Sequence, residues 1–254
     1  FINRLIDRAK AAKCSALILT MDLQILGQRH KDIRNGLSTP PKFTPYSIWQ
    51  MMQHPLWCMR MLGTKRHTFR NIVGHVGGDH DLASLSAWTA SQFDPTLNWR
   101  DVRWIKERFG GPVIVKGVLD AEDAQAAVDN GADAIVVSNH GGRQLDGAPS
   151  TIRVLPEIVD KVGHKTEVYL DSGIRSGQDV IKALAYGAKS TFVGRPMLYG
   201  LGAGGEAGVS RVLEIIRKEL DTTMALCGER DILNVGLHNI YSNDIPPRNA
   251  PGRG

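Results

Sequence analysis

The sequence predicts an α/β fold, a (β/α)8 TIM barrel of which this chain supplies about five strands. Two observations predict it. From Pro112 onward apolar runs alternate with helical patterns. Strands are expected at Val113–Val118, Ala134–Ser138, Val168–Asp171 and Ser190–Val193, and helices at Ala121–Asn130, Thr151–Val162, Gly177–Tyr186 and Glu206–Leu226. Such an order implies a parallel sheet with right-handed crossovers. The second observation is that each strand ends in polar residues or glycine: Lys116-Gly117, Ser138-Asn139-His140, Asp171-Ser172-Gly173 and Gly194-Arg195. Chemistry gathered at C-terminal strand ends marks the active face of a barrel. A doubly wound sheet would also collect ligands there.

The elements before Pro112 are less regular. Ile2, Leu5, Ile6 and Ala9 recur at helical spacing, with charged residues between them. Ala16–Thr20 is a short apolar run ending near Asp22 and reads as a buried parallel strand. From about Leu23 to Gly111 the chain is irregular, with Pro40, Pro41, Pro45, Pro55, Gly77 and Gly78. Helical pieces are expected at Ser47–Leu62, Asp81–Gln92 and Trp99–Phe109. A stretch of that length without clear strands points to an insertion or lid within one domain spanning residues 1–240. Residues 241–254, rich in Pro, Gly and Arg, are expected to be a disordered tail. Five strands do not close a barrel, and the chain opens inside a helix that should follow a strand. The expectation is therefore that three strands precede Phe1.

Composition narrows the function classes. Of 254 residues 42% are hydrophobic and 22% charged, which is ordinary for a globular chain. No apolar run reaches membrane-spanning length, and no secretory signal opens the sequence. The absence of an initiator Met suggests a processed or truncated product. The net charge is +5, but acidic and basic residues interleave. Aromatic residues do not alternate with the basic ones, so nucleic-acid binding is not expected. The densest basic cluster, Arg60, Lys65, Arg66 and Arg70, reads as a solvated loop or as a patch for anionic lipid. Cys14, Cys58 and Cys227 form no CxxC pair, which fits a reducing cytoplasm.

The segment most charged with chemistry is Ser138-Asn139-His140-Gly141-Gly142-Arg143-Gln144-Leu145-Asp146-Gly147. Glycines beside His140 let backbone and ligand approach closely. The planar fork of Arg143 suits a carboxylate. Together they would supply a base and a carboxylate clamp, as a 2-hydroxy acid requires. Read from the residues alone, the alternative is a loop histidine with Arg143 paired to Asp146.

This ten-residue segment resembles the signature of the FMN-dependent 2-hydroxy-acid dehydrogenase and oxidase family. The similarity extends from about Phe1 to Leu237, and the overall pattern is most similar to the bacterial FMN-dependent L-lactate dehydrogenases. Within that family the five strands here would correspond to barrel strands 4 to 8. The resemblance implies FMN as cofactor and His140 as catalytic base. Arg143 would bind the substrate carboxylate, assisted by Arg29. Leu19-Thr20-Met21-Asp22 resembles the strand end where Thr20 would bond the flavin ring and Asp22 would orient His140. Val113–Gly117 resembles the strand whose lysine, here Lys116, stabilises charge on the reduced flavin. Ser138 and Asp171 would contact the cofactor, Asp171 through the ribityl hydroxyls. Gly173, Arg175, Gly194 and Arg195 resemble the phosphate-gripping loops. The chain departs from many members at Gln24 and Gln28.

The implied reaction oxidises an L-2-hydroxy acid, L-lactate first, to the 2-oxo acid. The C2 hydrogen would leave as hydride or by way of a carbanion. Electrons would pass to a quinone, a haem protein or oxygen. The resemblance also implies a homo-oligomer, a tetramer, and allows peripheral contact with the inner face of the cell membrane. Two further readings stay open: a truncated, inactive homologue, or another phosphate-ligand barrel enzyme.

Other patterns carry less. Gly200–Gly205 formally matches GxGxxG but follows no strand directly and is expected to lead into the last helix. His75, Asp79, His80 and Asp81 fit no metal-binding spacing. Trp49, Met51, Met52, Trp57, Met59 and Met61 form an apolar cluster around Pro55, read as packing or as a membrane-docking surface.

Overall fold

The computed structural model describes residues 1–25, 27, 29–36, 43–64 and 93–241. Five parallel strands form one sheet in the order of the chain: β1 (Leu17–Thr20), β2 (Val113–Val118), β3 (Ala134–Val137), β4 (Glu167–Leu170) and β5 (Ser190–Thr191). Each pairs only with its sequence neighbours, with no reversal of order. A doubly wound sheet must reverse at its ligand crevice. The unbroken order is that of a (β/α)8 barrel wall, and this resolves the ambiguity left by the strand ends.

Among the described residues the helices are α1 (Ile2–Ala11), α2 (His30–Arg34), α3 (Pro45–Gln53), α4 (Pro55–Gly63), α5 (Trp99–Phe109), α6 (Ala121–Asp129), α7 (Thr151–Val162), α8 (Gly177–Ala185) and α9 (Arg195–Leu226). Local chemistry sets their ends. Asn98 accepts from the backbone at the start of α5, and Gly110 closes it in the left-handed conformation. Asp120 caps α6 and Ser176 caps α8. The expected Ser47–Leu62 helix is two helices, because Pro55 lacks the N–H that would continue α3 and instead opens α4.

The core lies between the sheet and the helices returning along it. Val115, Ile135, Val137, Val168 and Leu170 of the strands meet Ala124, Ala127, Leu155, Ile158 and Ala183 of α6, α7 and α8. Each fully buried aliphatic contributes about 1.5–3 kcal/mol. A smaller cluster of Ile6, Ile105, Phe109 and Val113 docks α1 and α5. The strand β3 is buried along its whole length, as expected of a parallel strand covered on both faces.

α9 is two helical segments joined at a kink: Gly205, at φ 62°, is non-helical, so the expected helix from Glu206 stands and a further helical segment from Arg195 precedes it. The Gly200–Gly205 run ends that first segment and leads into the second. A Cβ at Gly200 would fall 2.6 Å from the Gly208 carbonyl oxygen, so the glycines permit backbone-to-backbone packing across the kink. The expected helix Asp81–Gln92, the tail from residue 242, Gln28, Lys65, Arg66 and Arg70, and His75, Asp79, His80 and Asp81 lie outside the described residues.

Candidate active site

Five loops leave the C-terminal ends of the strands and converge. Asp22 follows β1, Lys116 ends the regular part of β2, Ser138 and His140 follow β3, Asp171 to Arg175 follow β4, and Gly194-Arg195 follow β5. Those after β2 to β5 line a cavity of about 470 Å³. Lys116, His140, Arg143, Asp171, Gly173, Arg175, Gly194 and Arg195 line it. Thr20, Asp22, Arg29 and Ser138, also expected in the site, are not part of that lining.

His140 occupies the left-handed region, φ 55°, followed by Gly141 at 71° and Gly142 at 70°. This run turns the chain sharply off β3 and aims the imidazole back over the sheet. Its Nδ1 lies 3.1 Å from Asp22 Oδ1. The approach depends on Gly117, at φ 109°, where a Cβ would sit 2.7 Å from Asp22 Cβ. The other carboxylate oxygen of Asp22, Oδ2, is buried and accepts no hydrogen bond among the described residues. A carboxylate so placed holds the ring orientation and favours an imidazolium when one forms.

Beside this pair, Lys116 Nζ lies 3.0 Å from Asp171 Oδ2 and 2.9 Å from Ser138 Oγ. The Ser138 hydroxyl donates to the same Asp171 oxygen at 2.7 Å. Burial alone would raise the Asp171 pKa; the Ser138 hydroxyl, the Lys116 ammonium and the Ser172 N–H outweigh it and hold the carboxyl below its ordinary value. The cluster thus presents an ion pair to the cavity wall rather than a bare cation.

Arg143 does not pair with Asp146. Its Nη2 lies 3.3 Å from Asp32 Oδ2 on α2, with both side chains partly exposed. Arg29 braces the same loop, donating to the Arg143 carbonyl at 3.3 Å and to Gln144 Oε1 at 3.4 Å. Gln144 in turn donates to the Asp22 and Ile25 carbonyls. A Cβ at Gly27 would come within 2.8 Å of the Arg143 carbonyl oxygen. The loop after β1 and the loop after β3 are therefore stitched together.

At the far end, α9 starts at the cavity with Gly194 as an N-cap that offers no side-chain acceptor. Arg195 reaches across to the Gly141 carbonyl at 3.1 Å. The Arg175 guanidinium is largely exposed and 3.8 Å from Asp179. A Cβ added at Gly173 or at Gly194 would meet nothing within 4 Å, so the backbone there is open to a ligand. An uncapped helix start between two arginines favours an anion. Asp32, Gln144 and Ser172 complete the arrangement. The last two lie inside segments singled out from the sequence; Asp32 carries no motif that could have announced it.

A family model described as FMN-dependent dehydrogenase matches residues 1–242. The chain is 44% identical over 242 residues to L-lactate dehydrogenases of Pseudomonas aeruginosa and Pseudomonas paraeruginosa, covering 94% of this chain and 63% of each relative. Among solved structures, it is similar to the monotopic membrane protein (S)-mandelate dehydrogenase, with TM-score 0.85 and 35% identity over 92% of this chain and 62% of that one. A mandelate oxidase matches with TM-score 0.67 and 36% identity over 91% of this chain and 56% of its own. The chain thus spans less than two-thirds of the length of these relatives.

Proposed function

Because the chain belongs to the FMN-dependent dehydrogenase family, we propose that it oxidises an L-2-hydroxy acid, L-lactate foremost, to the 2-oxo acid, as part of the catalytic barrel. The observation that carries the reading is the His140–Asp22 pair at 3.1 Å, set over a cavity that also receives Arg143, Lys116 and Arg195.

The residues present fit FMN. Gly173, Gly194, Arg175, Arg195 and the start of α9 would take the phosphate, the open glycine backbone supplying N–H donors. Asp171 would accept from the ribityl hydroxyls. Thr20, paired in register with Lys116, and Lys116 itself would face the ring. Bound there, FMN supplies the two-electron oxidation.

The chain's own residues do the rest. Arg143 exchanges its contact with Asp32 for the substrate carboxylate, and its fork sets the orientation of C2. Arg29 holds the Arg143 backbone while that exchange occurs. His140 takes the hydroxyl proton on its ring nitrogen away from Asp22. Asp22 keeps the ring aligned and balances the imidazolium charge. General-base assistance of this kind accelerates a reaction by about 10²–10⁴-fold. The 44% identity to proteins named L-lactate dehydrogenase favours a small side chain at C2.

The apolar pair α3–α4 supports peripheral membrane contact. Neither helix has a buried residue, and Trp49, Met52, Leu56, Trp57, Met59 and Leu62 are exposed. No helix among the described residues is long and apolar enough to cross a membrane. An exposed apolar surface rich in Trp and Met suits the interfacial layer of a bilayer, close to a lipid-soluble electron acceptor.

The test is spectroscopic. The full-length protein should purify with flavin absorbance near 450 nm, and anaerobic L-lactate should bleach it. His140→Ala should keep the colour and lose the bleaching. Bleaching at the parent's rate in His140→Ala would remove His140 from the reaction. Turnover with oxygen, with a water-soluble quinone and with a haem protein then distinguishes the acceptors.

A further inference from the structure

Three non-glycine residues among those described have positive φ: Lys13, His140 and Ser172. Lys13 follows the end of α1, where chains commonly turn left-handed. The other two both line the cavity. Ser172, at φ 74°, sits where glycine would be free of steric cost, and Gly173 follows it at φ 93°. A strained side chain that persists in a loop is held by its contacts.

Those contacts are specific. The Ser172 hydroxyl accepts the Gly141 N–H at 2.9 Å. The carbonyl on the other side of Gly141 accepts from Arg195 at 3.1 Å. The Ser172 carbonyl accepts from Thr151 Oγ1 at 2.9 Å, and Thr151 is buried at the start of α7. Gly141 directly follows His140, so the orientation of its peptides fixes the direction in which the imidazole leaves the backbone. The His140 N–H is tied in turn to Ser138 Oγ at 3.1 Å.

We infer that Ser172 is a positioning residue for His140: its hydroxyl, anchored through α7, clamps the Gly141 peptide and holds the imidazole against Asp22. The inference rests on His140 being the base. The strain at Ser172 is retained because glycine, the easier residue, has no acceptor to offer Gly141.

Ser172→Gly relieves the backbone and removes the clamp together, whereas Ser172→Ala removes the clamp and keeps the strain, so the pair separates the two effects. In the full-length FMN-loaded enzyme it should leave the thermal midpoint equal or higher and the flavin content unchanged. The single-turnover bleaching rate with L-lactate should fall about ten- to a hundredfold, with KM nearly constant. Amide hydrogen exchange across residues 138–147 should quicken, because the Gly141 N–H has lost its acceptor. Ser172→Ala, which keeps the strain, should show the same kinetic loss with a lower midpoint. On a His140→Ala background, Ser172→Gly should add nothing to the loss. Parent-rate bleaching in Ser172→Gly, or an undiminished further loss on the His140→Ala background, overturns the inference alone. A parent enzyme that holds FMN but is bleached by no 2-hydroxy acid overturns the functional reading and this inference with it.

Discussion

The Nδ1 of His140 lies 3.1 Å from Oδ1 of Asp22, a residue 118 positions earlier in the chain. The sheet order makes this possible. β1 and β3 flank β2, and the glycine on β2 between them, Gly117, presents no side chain to the gap. Asp22→Asn preserves the shape and removes the charge that balances an imidazolium. Turnover should drop by roughly a hundredfold or more while flavin content stays constant. Stopped-flow bleaching with L-lactate measures it, and a rate within about threefold of the parent would leave Asp22 with a structural role only.

Gly117→Ala should damage the same contact from behind. The new Cβ would meet Asp22 Cβ at 2.7 Å, and φ 109° is hostile to any L side chain. A loss of roughly 1–3 kcal/mol is expected, read as a lower denaturant midpoint with unchanged m. Turnover should fall as well, because relief of the clash moves Asp22 away from His140. An Ala variant as stable and active as the parent would show that β2 shifts freely where its register with β3 breaks, between Lys116 and Val118.

The pairing of Arg143 with Asp32 at 3.3 Å places a protein carboxylate where the substrate's is proposed to bind. The pair is partly exposed, so its strength is modest, about 1 kcal/mol or less. Asp32→Asn should therefore lower KM for L-lactate by up to about fivefold and leave kcat nearly unchanged. Arg143→Lys should raise KM, because an ammonium cannot make the bidentate contact. If Asp32→Asn raises KM instead, Asp32 serves to hold Arg143 in place rather than to compete for it.

The exposed helices α3 and α4 lead to a partition measurement. Trp49, Trp57 and Leu62 are exposed, Leu62 at 81%. The parent should co-sediment with phosphatidylglycerol-containing vesicles, and the double variant Trp49→Ser, Trp57→Ser should not. Since neither residue lines the catalytic cavity, turnover with a water-soluble acceptor should be kept. Equal sedimentation of both proteins would dissociate this surface from membrane binding.

How far these relationships were legible in the sequence varies with their physical origin. The strand-and-helix repeat from Pro112 on is written in apolar periodicity and in caps such as Asp120 and Ser176, so its four strands fall where the pattern puts them, and the separate apolar run Ala16–Thr20 yields the fifth. The residues that line the cavity were visible because a strand end next to glycines constrains what can stand there; Thr20, Asp22, Arg29 and Ser138 were expected in it and are not part of its lining. What sequence could not show was pairing. Arg143 turns toward Asp32 rather than Asp146, a choice made by the placement of α2, a five-residue helix without strong periodicity. The helical segment from Arg195 that precedes the expected one was hidden because the glycines at 194, 200, 202, 204, 205 and 208 read as a loop, whereas close packing of Gly200 against Gly208 uses them to bring the two segments of α9 together. Ser172 looked like one letter of a phosphate loop; its role rests on a positive φ that no composition reveals.

The Asp171 cluster supplies a test in which the sign is fixed by the structure. Its carboxyl is held below the ordinary value of 3.8 although burial opposes this, because the Ser138 hydroxyl, the Lys116 ammonium and the Ser172 N–H all favour the ionised form. A carboxylate with a depressed folded-state pKa binds protons more readily in the unfolded chain. Its stabilising contribution is therefore complete above the unfolded value and is lost as pH falls through the lower folded one. Asp171→Asn should be less stable than the parent at neutral pH, partly because Lys116 would lose its charged partner. The gap between the two thermal midpoints should narrow as pH drops below about 4. A gap that stays constant down to about pH 3 would mean that the carboxylate charge contributes nothing to folding and that Asp171 acts only through its shape.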